Sequence, residues 1–526
     1  MLKLEKKHAA LLAVLIIISA VCFLFAGRKD GMFIDEIYSL GLSNSHYAPF
    51  VTDIKGGDMR DTVMTRQELT DYLSVGEDDR FAYGSVYYNQ VNDVHPPLYY
   101  WLLHTAYSLA PGAFSMWPGL VLDYIIYMAT LIMLYALVVK LLESRPAALA
   151  AVCLYGLSVI GLSTMLMIRM YVLLTFFTVL LAYAALCVLR QGRKRDYALL
   201  GLGIFLGLLT QYYFVFYAFF LCAAVVICLI CRKEFKKAFG FALCAFAGVG
   251  VFVLVFPACF DHLFADALVS GGNAVENLKN VAQYSERLDF FKEECAERMR
   301  AIRYVSIALA VLCLVRFKKL IADFRAKKLR LDTLILLLPA FVTYVLVAVI
   351  SPVAEIRYVY NLIPIFVLGD ALMLFWLITA DGEGWAQLLK YVPVVLIGAV
   401  ALWYARTLPP DYLYEEHEEL NTMLSEYADA PCVYMDDNYP APITFDMMQL
   451  MLFDDFLITA DAASPAIADY LAGSGRMVVF IDISEFWASG FDADEILDKL
   501  SLSTGFENIT PLYSNGFSDV YLMEDI

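Results

Sequence analysis

Two adjacent carboxylates, Asp35 and Glu36, follow the first apolar segment of this 526-residue chain. They lie among apolar residues in the stretch Phe33-Ile-Asp-Glu-Ile-Tyr-Ser-Leu40. Such a pair is either an ordinary feature of a solvated loop or part of a reaction centre at a membrane surface. In a reaction centre, a carboxylate can take the proton from an attacking hydroxyl group. The layout of the rest of the chain decides between the two interpretations.

Three further polar clusters stand next to apolar segments. They are Asn92-Asp-Val-His-Pro-Pro97, Arg169 with Tyr171, and Glu355 with Arg357 and Tyr358. Each has a structural alternative, because proline suits the first turn of a helix and arginines snorkel at membrane interfaces. Together they suggest chemistry on a lipid-linked phosphate, since guanidinium groups bind phosphate oxygens bidentately. Charged groups at membrane depth commonly mark a substrate path.

The composition predicts an integral membrane protein. Hydrophobic residues make up 61% of the chain and charged residues 18%, against about 45–50% and about 25% in average globular proteins. Eleven apolar runs are long enough to cross a bilayer core of about 30 Å. These predicted spans are 9–27, 115–140, 146–167, 171–189, 197–213, 214–231, 238–258, 301–316, 332–350, 360–380 and 388–405. Charged residues after the first run favour an uncleaved span over a signal peptide.

Charge predicts the orientation of these spans. The basic connectors Arg190–Arg195, Arg232–Lys237 and Arg316–Arg330 carry 4, 4 and 7 Lys and Arg residues, and such segments stay in the cytoplasm. With eleven spans and a cytoplasmic N-terminus, all three connectors face the cytoplasm. A twelfth crossing at 98–110 would invert them, so we interpret this segment as an interfacial helix. The four polar clusters and the C-terminus are then extracytoplasmic, at the plasma membrane.

The C-terminal stretch 407–526 differs from the membrane body 1–406. It holds 24 acidic and 2 basic residues, a net charge of −22, whereas the remainder carries +5. Short β-rich runs alternate with helix-like segments, which is typical of a small α/β domain. Neither part suggests nucleic-acid binding. The eleven cysteines lie mostly in predicted spans and show no disulfide pattern.

The order of these motifs resembles the membrane glycosyltransferases of the GT-C fold, of the protein O-mannosyltransferase and aminoarabinose-transferase kind (glycosyltransferase family 39-like). The matching features are the acidic pair in the first outer loop, the run His95-Pro-Pro-Leu-Tyr-Tyr-Trp101, Arg169-Met-Tyr171, and the late Arg357-Tyr358 followed by Pro364. The resemblance covers about residues 1–405. The His-Pro-Pro run together with the upstream acidic pair is its most specific part.

This resemblance implies a polyprenyl-phosphate-linked sugar as donor, an acceptor hydroxyl on a glycan, lipid or protein, and inversion at the sugar carbon. Asp35 matches the family's catalytic acidic residue and is expected to act as the general base, with Glu36 positioning it. Arg169 and Arg357 are expected to hold the phosphate. The side chains expected beside them are Tyr171, Tyr358 and His95.

Some members of the family bind a divalent cation in the outer loops. Asp93, His95 and the pair Asp261-His262 are the candidates here. In this sequence Val94 stands where the family has an acid directly before the Lys/His-Pro-Pro motif, and Asp93 lies one position earlier.

Two other classes of function stay open on the sequence. A transporter or flippase of a lipid-linked saccharide would share the phosphate site but need no base. Transporters often contain internal repeats and broken spans, and no such pair stands out here. An inactive scaffold could use its acidic tail to bind a partner, and the intact acidic pair argues against it.

Overall fold

The structure is a computed structural model, and it describes residues 6–264, 277–318, 321, 331–378, 389–437, 440–484 and 491–525. The described part is mostly helical and contains one mixed sheet. Its residues divide into two compact units. The first unit comprises Met1–Gly27, Val94–Tyr99 and Leu120–Asp411, and the second comprises Arg28–Asp93, Tyr100–Gly119 and Tyr412–Ile526.

The described helices up to residue 264 are α1 (Lys6–Ala26), α2 (Ile34–Asn44), α3 (Arg66–Leu73), α4 (Tyr83–Val91), α5 (Leu98–Ser108), α6 (Trp117–Leu142), α7 (Arg145–Gly156), α8 (Val159–Leu166), α9 (Tyr171–Arg190), α10 (Lys194–Leu208), α11 (Phe214–Cys231), α12 (Phe235–Val255) and α13 (Cys259–Phe264). Those that follow are α14 (Tyr284–Arg298), α15 (Arg300–Val315), α16 (Leu331–Ile350), α17 (Ile363–Ile378), α18 (Val392–Thr407), α19 (Glu416–Ser425), α20 (Pro440–Leu450), α21 (Pro465–Leu471) and α22 (Ala493–Thr504). Short 3₁₀ helices occupy Val51–Lys55, Glu77–Asp79, Val281–Gln283 and Ile356–Leu362.

Long apolar helices dominate the first unit, which confirms the predicted fold class of a polytopic helical membrane protein. Seven described helices are long and apolar enough to cross a membrane, or eight if the bent pair α7 and α8 is one span. Each of the eleven predicted spans coincides with a helix. However, α10, α15 and α18 have only 15 to 16 residues, about 24 Å at 1.5 Å per residue. The count of eleven therefore stays a prediction.

The predicted span 146–167 is bent by 61° between α7 and α8. Ser158 causes a new helix start there, because its hydroxyl accepts a hydrogen bond from Gly161 N at 3.1 Å and donates one to the Tyr155 carbonyl at 2.7 Å. The phenol of Tyr127 donates to the Gly156 carbonyl at 3.1 Å. These bonds replace helical ones at the break, as buried backbone groups require.

The second unit is built on a six-stranded sheet of β1 (Thr62–Thr65), β2 (Cys432–Met435), β3 (Asp455–Thr459), β4 (Arg476–Asp482), β5 (Asn508–Ser514) and β6 (Ser518–Glu524). The strand order is β1-β3-β2-β4-β6-β5. The central strands β3, β2 and β4 are parallel, and every residue of β2 is buried. Buried parallel strands with helical crossovers are typical of α/β folds, which confirms the predicted small C-terminal domain.

The edge strand β1 comes from the first long loop, not from the C-terminal stretch. It pairs antiparallel with β3, with Val63 opposite Leu457. The sequence predicted the loop and the stretch 407–526 as parts of different domains, whereas one compact unit contains both. This pairing also constrains the topology, since paired strands must lie on the same side of a membrane. The number of crossings between them is therefore even, whereas the count of eleven spans and their orientation stay predictions.

Candidate active site

The acidic pair of the first loop lies in the first turn of α2. The carboxylate of Glu36 accepts a hydrogen bond from Phe33 N at 2.8 Å, and Lys29 Nζ lies 3.0 Å from it. Both the Glu36 and the Lys29 side chains are completely buried. Glu36 therefore caps the N-terminal end of α2 with a buried carboxylate, as the positioning role expected for it requires.

Asp35, in contrast, is partly exposed. It lies at the N-terminal end of α2, where the helix dipole stabilises a negative charge. Its backbone carbonyl accepts a hydrogen bond from the Ser39 hydroxyl at 2.8 Å. Of the two acids, only Asp35 has a solvent-exposed part.

Helix α5 anchors the far end of α2. His104 is buried, and its Nδ1 lies 2.8 Å from the Ser43 carbonyl oxygen. Burial lowers the pKa of His104, so the imidazole is neutral at physiological pH and donates this hydrogen bond through Nδ1. The amide of Asn44 donates to the Leu73 carbonyl at 2.7 Å.

The first unit holds the predicted phosphate-binding residues. Arg169 lies in the short turn between α8 and α9, where its backbone N–H donates to the Met167 carbonyl at 2.7 Å. Arg357 lies in the 3₁₀ helix Ile356–Leu362, 3.2 Å from a carboxylate oxygen of Glu355. The two arginines are only 5% and 8% exposed. Each is thus a largely buried cation at the end of a helical element.

Aromatic packing brings the two arginine–tyrosine segments together, because α9 packs against the 3₁₀ helix Ile356–Leu362. The Tyr171 and Tyr358 ring centroids are 6.3 Å apart in an edge-to-face arrangement. The ring of Tyr213 lies 5.4 Å from that of Tyr358. The Arg357 guanidinium lies 5.5 Å from the Tyr358 ring centroid, within range of a cation–π interaction. Arg169–Tyr171 and Arg357–Tyr358 therefore form one cluster, which we call the arginine–tyrosine cluster.

The His-Pro-Pro motif is anchored in the same unit. Leu98 N donates to the Leu209 carbonyl at 3.0 Å, and the Tyr99 phenol donates to the buried carboxylate of Asp123 at 2.9 Å. Pro96 and Pro97 are buried, and His95 is partly exposed. The motif thus fixes the first turn of α5, as proline before a helix predicts.

The residues suggested for a cation do not form a ligand set. Within the described ranges, no group of three His, Cys, Asp or Glu side chains is arranged to hold a metal ion. His262 Nδ1 lies 2.8 Å from the Tyr212 hydroxyl, and its ring packs against Phe256. We therefore assign no step of the reaction to a metal, and the cation stays a prediction.

Three residues that take part in the contacts described above were not predicted from the sequence. Lys29 was interpreted as part of the charged flank of the first span, and Asp123 and Tyr213 were hidden inside apolar runs. A lone acid within an apolar run is costly unless it is paired, and this is the signal that marks Asp123.

Comparison with known proteins gives a family match for part of the chain. Residues 94–258 match the model of the family described as dolichyl-phosphate-mannose-protein mannosyltransferase. No curated protein sequence matches the chain significantly.

Several solved structures are similar in layout. ArnT from Cupriavidus metallidurans bound to undecaprenyl phosphate is 10% identical, with 96% of this chain and 97% of that chain covered and a TM-score of 0.46. The apo form of that protein is also 10% identical, with 98% of each chain covered and a TM-score of 0.45. Arabinosyltransferase EmbB from Mycobacterium smegmatis is 13% identical, with 94% and 45% covered and a TM-score of 0.35.

The matched segment begins directly before His95 and contains Arg169 and Tyr171. It therefore includes two of the four motifs on which the resemblance was based. The family match confirms, over residues 94–258, the predicted resemblance to the GT-C membrane glycosyltransferases.

Proposed function

We propose that this integral membrane protein transfers a sugar from a polyprenyl-phosphate-linked donor to an acceptor hydroxyl on the extracytoplasmic side. The observation that carries the proposal is the arginine–tyrosine cluster. Two largely buried arginines belong to it: Arg169 directly precedes α9, and α9 packs against the 3₁₀ helix that carries Arg357. The family match supports the donor class, because the matched family is described by its dolichyl-phosphate-mannose donor.

The arginines suit the leaving group of this reaction. Guanidinium groups bind phosphate oxygens through charge-assisted, bidentate hydrogen bonds. A partly dehydrated site strengthens these contacts as charge develops on the leaving phosphate. Glu355 already neutralises part of the Arg357 charge at 3.2 Å, and a bound phosphate would compete with it.

Asp35 is proposed as the base. It accepts the proton of the acceptor hydroxyl while the hydroxyl oxygen forms its bond to the anomeric carbon. The bond between that carbon and the phosphate oxygen breaks, and the phosphate keeps the electron pair. A single displacement from the opposite face inverts the anomeric centre. His95 and the tyrosines of the cluster are proposed to line the donor site.

The proposed membrane side of the Asp35 loop follows from the basic connectors and from the sheet that this loop shares with the C-terminal stretch. The loop that carries Asp35 and the C-terminal stretch lie on one side of the membrane, since β1 pairs with β3. With the basic connectors in the cytoplasm, that side is extracytoplasmic. The proposed location is the plasma membrane.

The test uses purified full-length protein in lipid nanodiscs with undecaprenyl-phosphate-linked mannose, glucose, arabinose or aminoarabinose and an extract of membrane glycans and proteins. Transfer of labelled sugar is expected with one of these donors. Asp35→Asn should lower the rate by about 10²–10⁴, the usual contribution of a general base, with donor binding kept. Wild-type turnover in a well-folded Asp35→Asn protein would remove Asp35 from the mechanism.

The same preparation tests the competing classes. Movement of the intact labelled lipid across a vesicle membrane, without bond cleavage, would indicate a transporter. Neither transfer nor movement with any of the four donors, in protein that binds undecaprenyl phosphate, would favour a scaffold.

A further inference from the structure

Directly after the first apolar helix, the chain runs along the start of the C-terminal stretch. Asp30 N donates to the Leu413 carbonyl at 2.9 Å, and the Arg28 guanidinium makes two contacts with the Glu415 carboxylate, at 2.6 and 3.0 Å. Both segments of this contact belong to the second unit. We call residues 412–417 the strap, because they lie over the segment that leads into α2.

A buried cation joins the strap to α2. Lys29 Nζ donates to the Tyr412 carbonyl at 2.5 Å and to the Glu36 carboxylate at 3.0 Å. Both side chains are completely buried, so the ion pair offsets part of the cost of burying each charge. Glu36 in turn accepts the Phe33 backbone N–H. A continuous chain of polar contacts therefore runs from the strap through Lys29 to the first turn of α2.

The packing around this chain leaves little room for movement. A Cβ on Gly31 would lie 2.4 Å from His417 Nδ1 and 2.7 Å from Tyr414 Cβ, so only glycine allows the strap to come this close. The rings of Phe33 and Tyr412 are 5.9 Å apart. The Lys29 ammonium also lies 5.7 Å from the Tyr414 ring centroid.

The C-terminal domain reaches α2 from a second direction as well. Helix α20, which connects β2 to β3, packs against α2. Gln449 of α20 lies 3.3 Å from His417 of the strap. The C-terminal domain therefore reaches α2 in two ways: α20 packs against α2, and the strap is joined to α2 through Lys29.

We propose that Lys29 is a positioning residue, through which the strap of the C-terminal α/β domain fixes the first turn of α2 and with it Asp35. This inference rests on the proposed function, in which Asp35 is the base. It also gives the acidic C-terminal domain a role, because that domain fixes the position of the first turn of α2, which carries Asp35. Asp35 neighbours Glu36 in the same helical turn, so a loosened turn displaces its carboxylate.

The first test compares Lys29→Met with Arg28→Gln. Lys29→Met removes the buried link, whereas Arg28→Gln removes an exposed ion pair between the same two segments. Lys29→Met should lower kcat about 100-fold, the cost of an approximately 1 Å misplacement, while KM for the donor stays within about twofold because the arginines are untouched. Arg28→Gln should leave both parameters unchanged. Equal effects of the two variants, or a change confined to KM, would overturn the proposal.

The second test separates positioning from folding. In the double variant Lys29→Met/Glu36→Gln no carboxylate is left buried without its cation, and the amide oxygen introduced by Glu36→Gln can still accept the Phe33 N–H. This double variant should unfold at a temperature close to that of the wild type and yet retain the low kcat. Wild-type kcat in the double variant would overturn the proposal.

A third measurement does not require the donor. Hydrogen exchange in nanodiscs should become faster in the first turn of α2 in Lys29→Met, and not in α9. Unchanged exchange in α2 would contradict the proposal. If Asp35→Asn is inactive but Lys29→Met has wild-type kinetics, only the positioning role fails. If Asp35→Asn is fully active, the proposed base fails, and faster exchange in α2 of Lys29→Met would still establish the strap.

Discussion

Each of the two units holds predicted site residues, and the contacts around them differ greatly in sequence separation. In the first unit, Arg169 and Tyr171 share one turn, and Arg357 and Tyr358 are neighbours, so each half of the arginine–tyrosine cluster is local. In the second unit, Glu36 of α2 is paired with Lys29, which donates to the carbonyl of Tyr412, 383 positions further along the chain. Local motifs can be recognised from the sequence, whereas such long-range support requires the fold.

The largest expected effect concerns the side of the membrane on which the second unit lies, and labelling of single cysteines measures it. In a variant without native cysteines, a cysteine at the exposed position Glu507 should react completely with a membrane-impermeant thiol reagent in intact cells. A cysteine at Gln191, in a basic connector and also exposed, should not react. The reason is that Lys- and Arg-rich connectors resist translocation.

Native Cys231 is exposed, so it must be replaced before labelling. A cysteine at Arg60, next to β1, provides an internal control, since the paired strands β1 and β3 require it to behave like position 507. Labelling at Gln191 with no labelling at Glu507 would place the basic connectors outside and refute the eleven-span orientation.

The proposed phosphate-binding role of the first unit is tested by removing the cations of Arg169 and Arg357 one at a time. Arg169→Ala and Arg357→Ala should each weaken undecaprenyl phosphate binding by about 1.5–3 kcal/mol, the value of a hydrogen bond to a charged group, or roughly 10- to 150-fold. Arg357→Lys should restore only part of the affinity, because lysine cannot bind two oxygens in a planar fork. Binding would be measured by fluorescence quenching in nanodiscs.

Arg300→Ala is the matched control, because Arg300 lies in the same unit but its side chain is 41% exposed. It should bind the lipid like the wild type. Unchanged binding in both Arg169→Ala and Arg357→Ala would place the phosphate away from the cluster.

The sequence was informative for the first unit because apolar length and short motifs are local signals. All eleven predicted spans coincide with helices, and Arg169, Tyr171, Arg357 and Tyr358 form one cluster. The break at Ser158 was missed although Gly156 and Gly161 flank it, because the apolar run continues through it without a charged residue or a proline. In the second unit the alternation of β-rich runs with helix-like segments predicted the small α/β domain, whereas it did not predict β1. Its pairing with β3 is fixed by tertiary contacts and not by any feature of Thr62–Thr65 itself.

The second unit contains a buried acid whose protonation should control its stability. Asp446 on α20 is completely buried and accepts hydrogen bonds from Tyr434, Ser518 and Asn515. Burial raises the pKa of Asp446 from 3.8 to about 6. A raised pKa stabilises the fold below the unfolded-state pKa, and this contribution is lost as the pH rises through 6.

Asp446→Asn should therefore flatten the decline in stability of the α/β domain between pH 4 and pH 7, by about 3 kcal/mol at most for two pKa units. Hydrogen exchange in β2 and β4 of the full chain, at several pH values, measures this. Asp498→Asn, an exposed site on α22, removes the same charge and should preserve the wild-type slope. An identical slope in Asp446→Asn would show that Asp446 is ionised at little cost in the folded protein.

The prediction with the smallest expected effect concerns whether the first long loop and the C-terminal stretch fold as one unit. Thr65 begins α3 of the loop, where its hydroxyl accepts from Glu68 N at 3.2 Å and the Glu68 carboxylate accepts from Thr65 N at 2.9 Å. Thr65→Ala removes half of this capping box, which should cost about 1 kcal/mol. Because Thr65 also ends β1, opposite Asp455, the cost should be transmitted to the C-terminal strands.

The measurement is hydrogen exchange of β3 and β2 under conditions where they exchange by opening of the whole unit. Thr65→Ala should accelerate their exchange about fivefold, the equivalent of about 1 kcal/mol. The matched control is Ser144→Ala, which removes the N-cap of α7 in the first unit and should not change exchange in these strands. If Thr65→Ala affects α3 and leaves β3 at the wild-type rate, the loop opens independently of the C-terminal stretch. The strap would then have to hold the Asp35 helix without cooperative support from the sheet, and Lys29 would carry a larger share of the positioning.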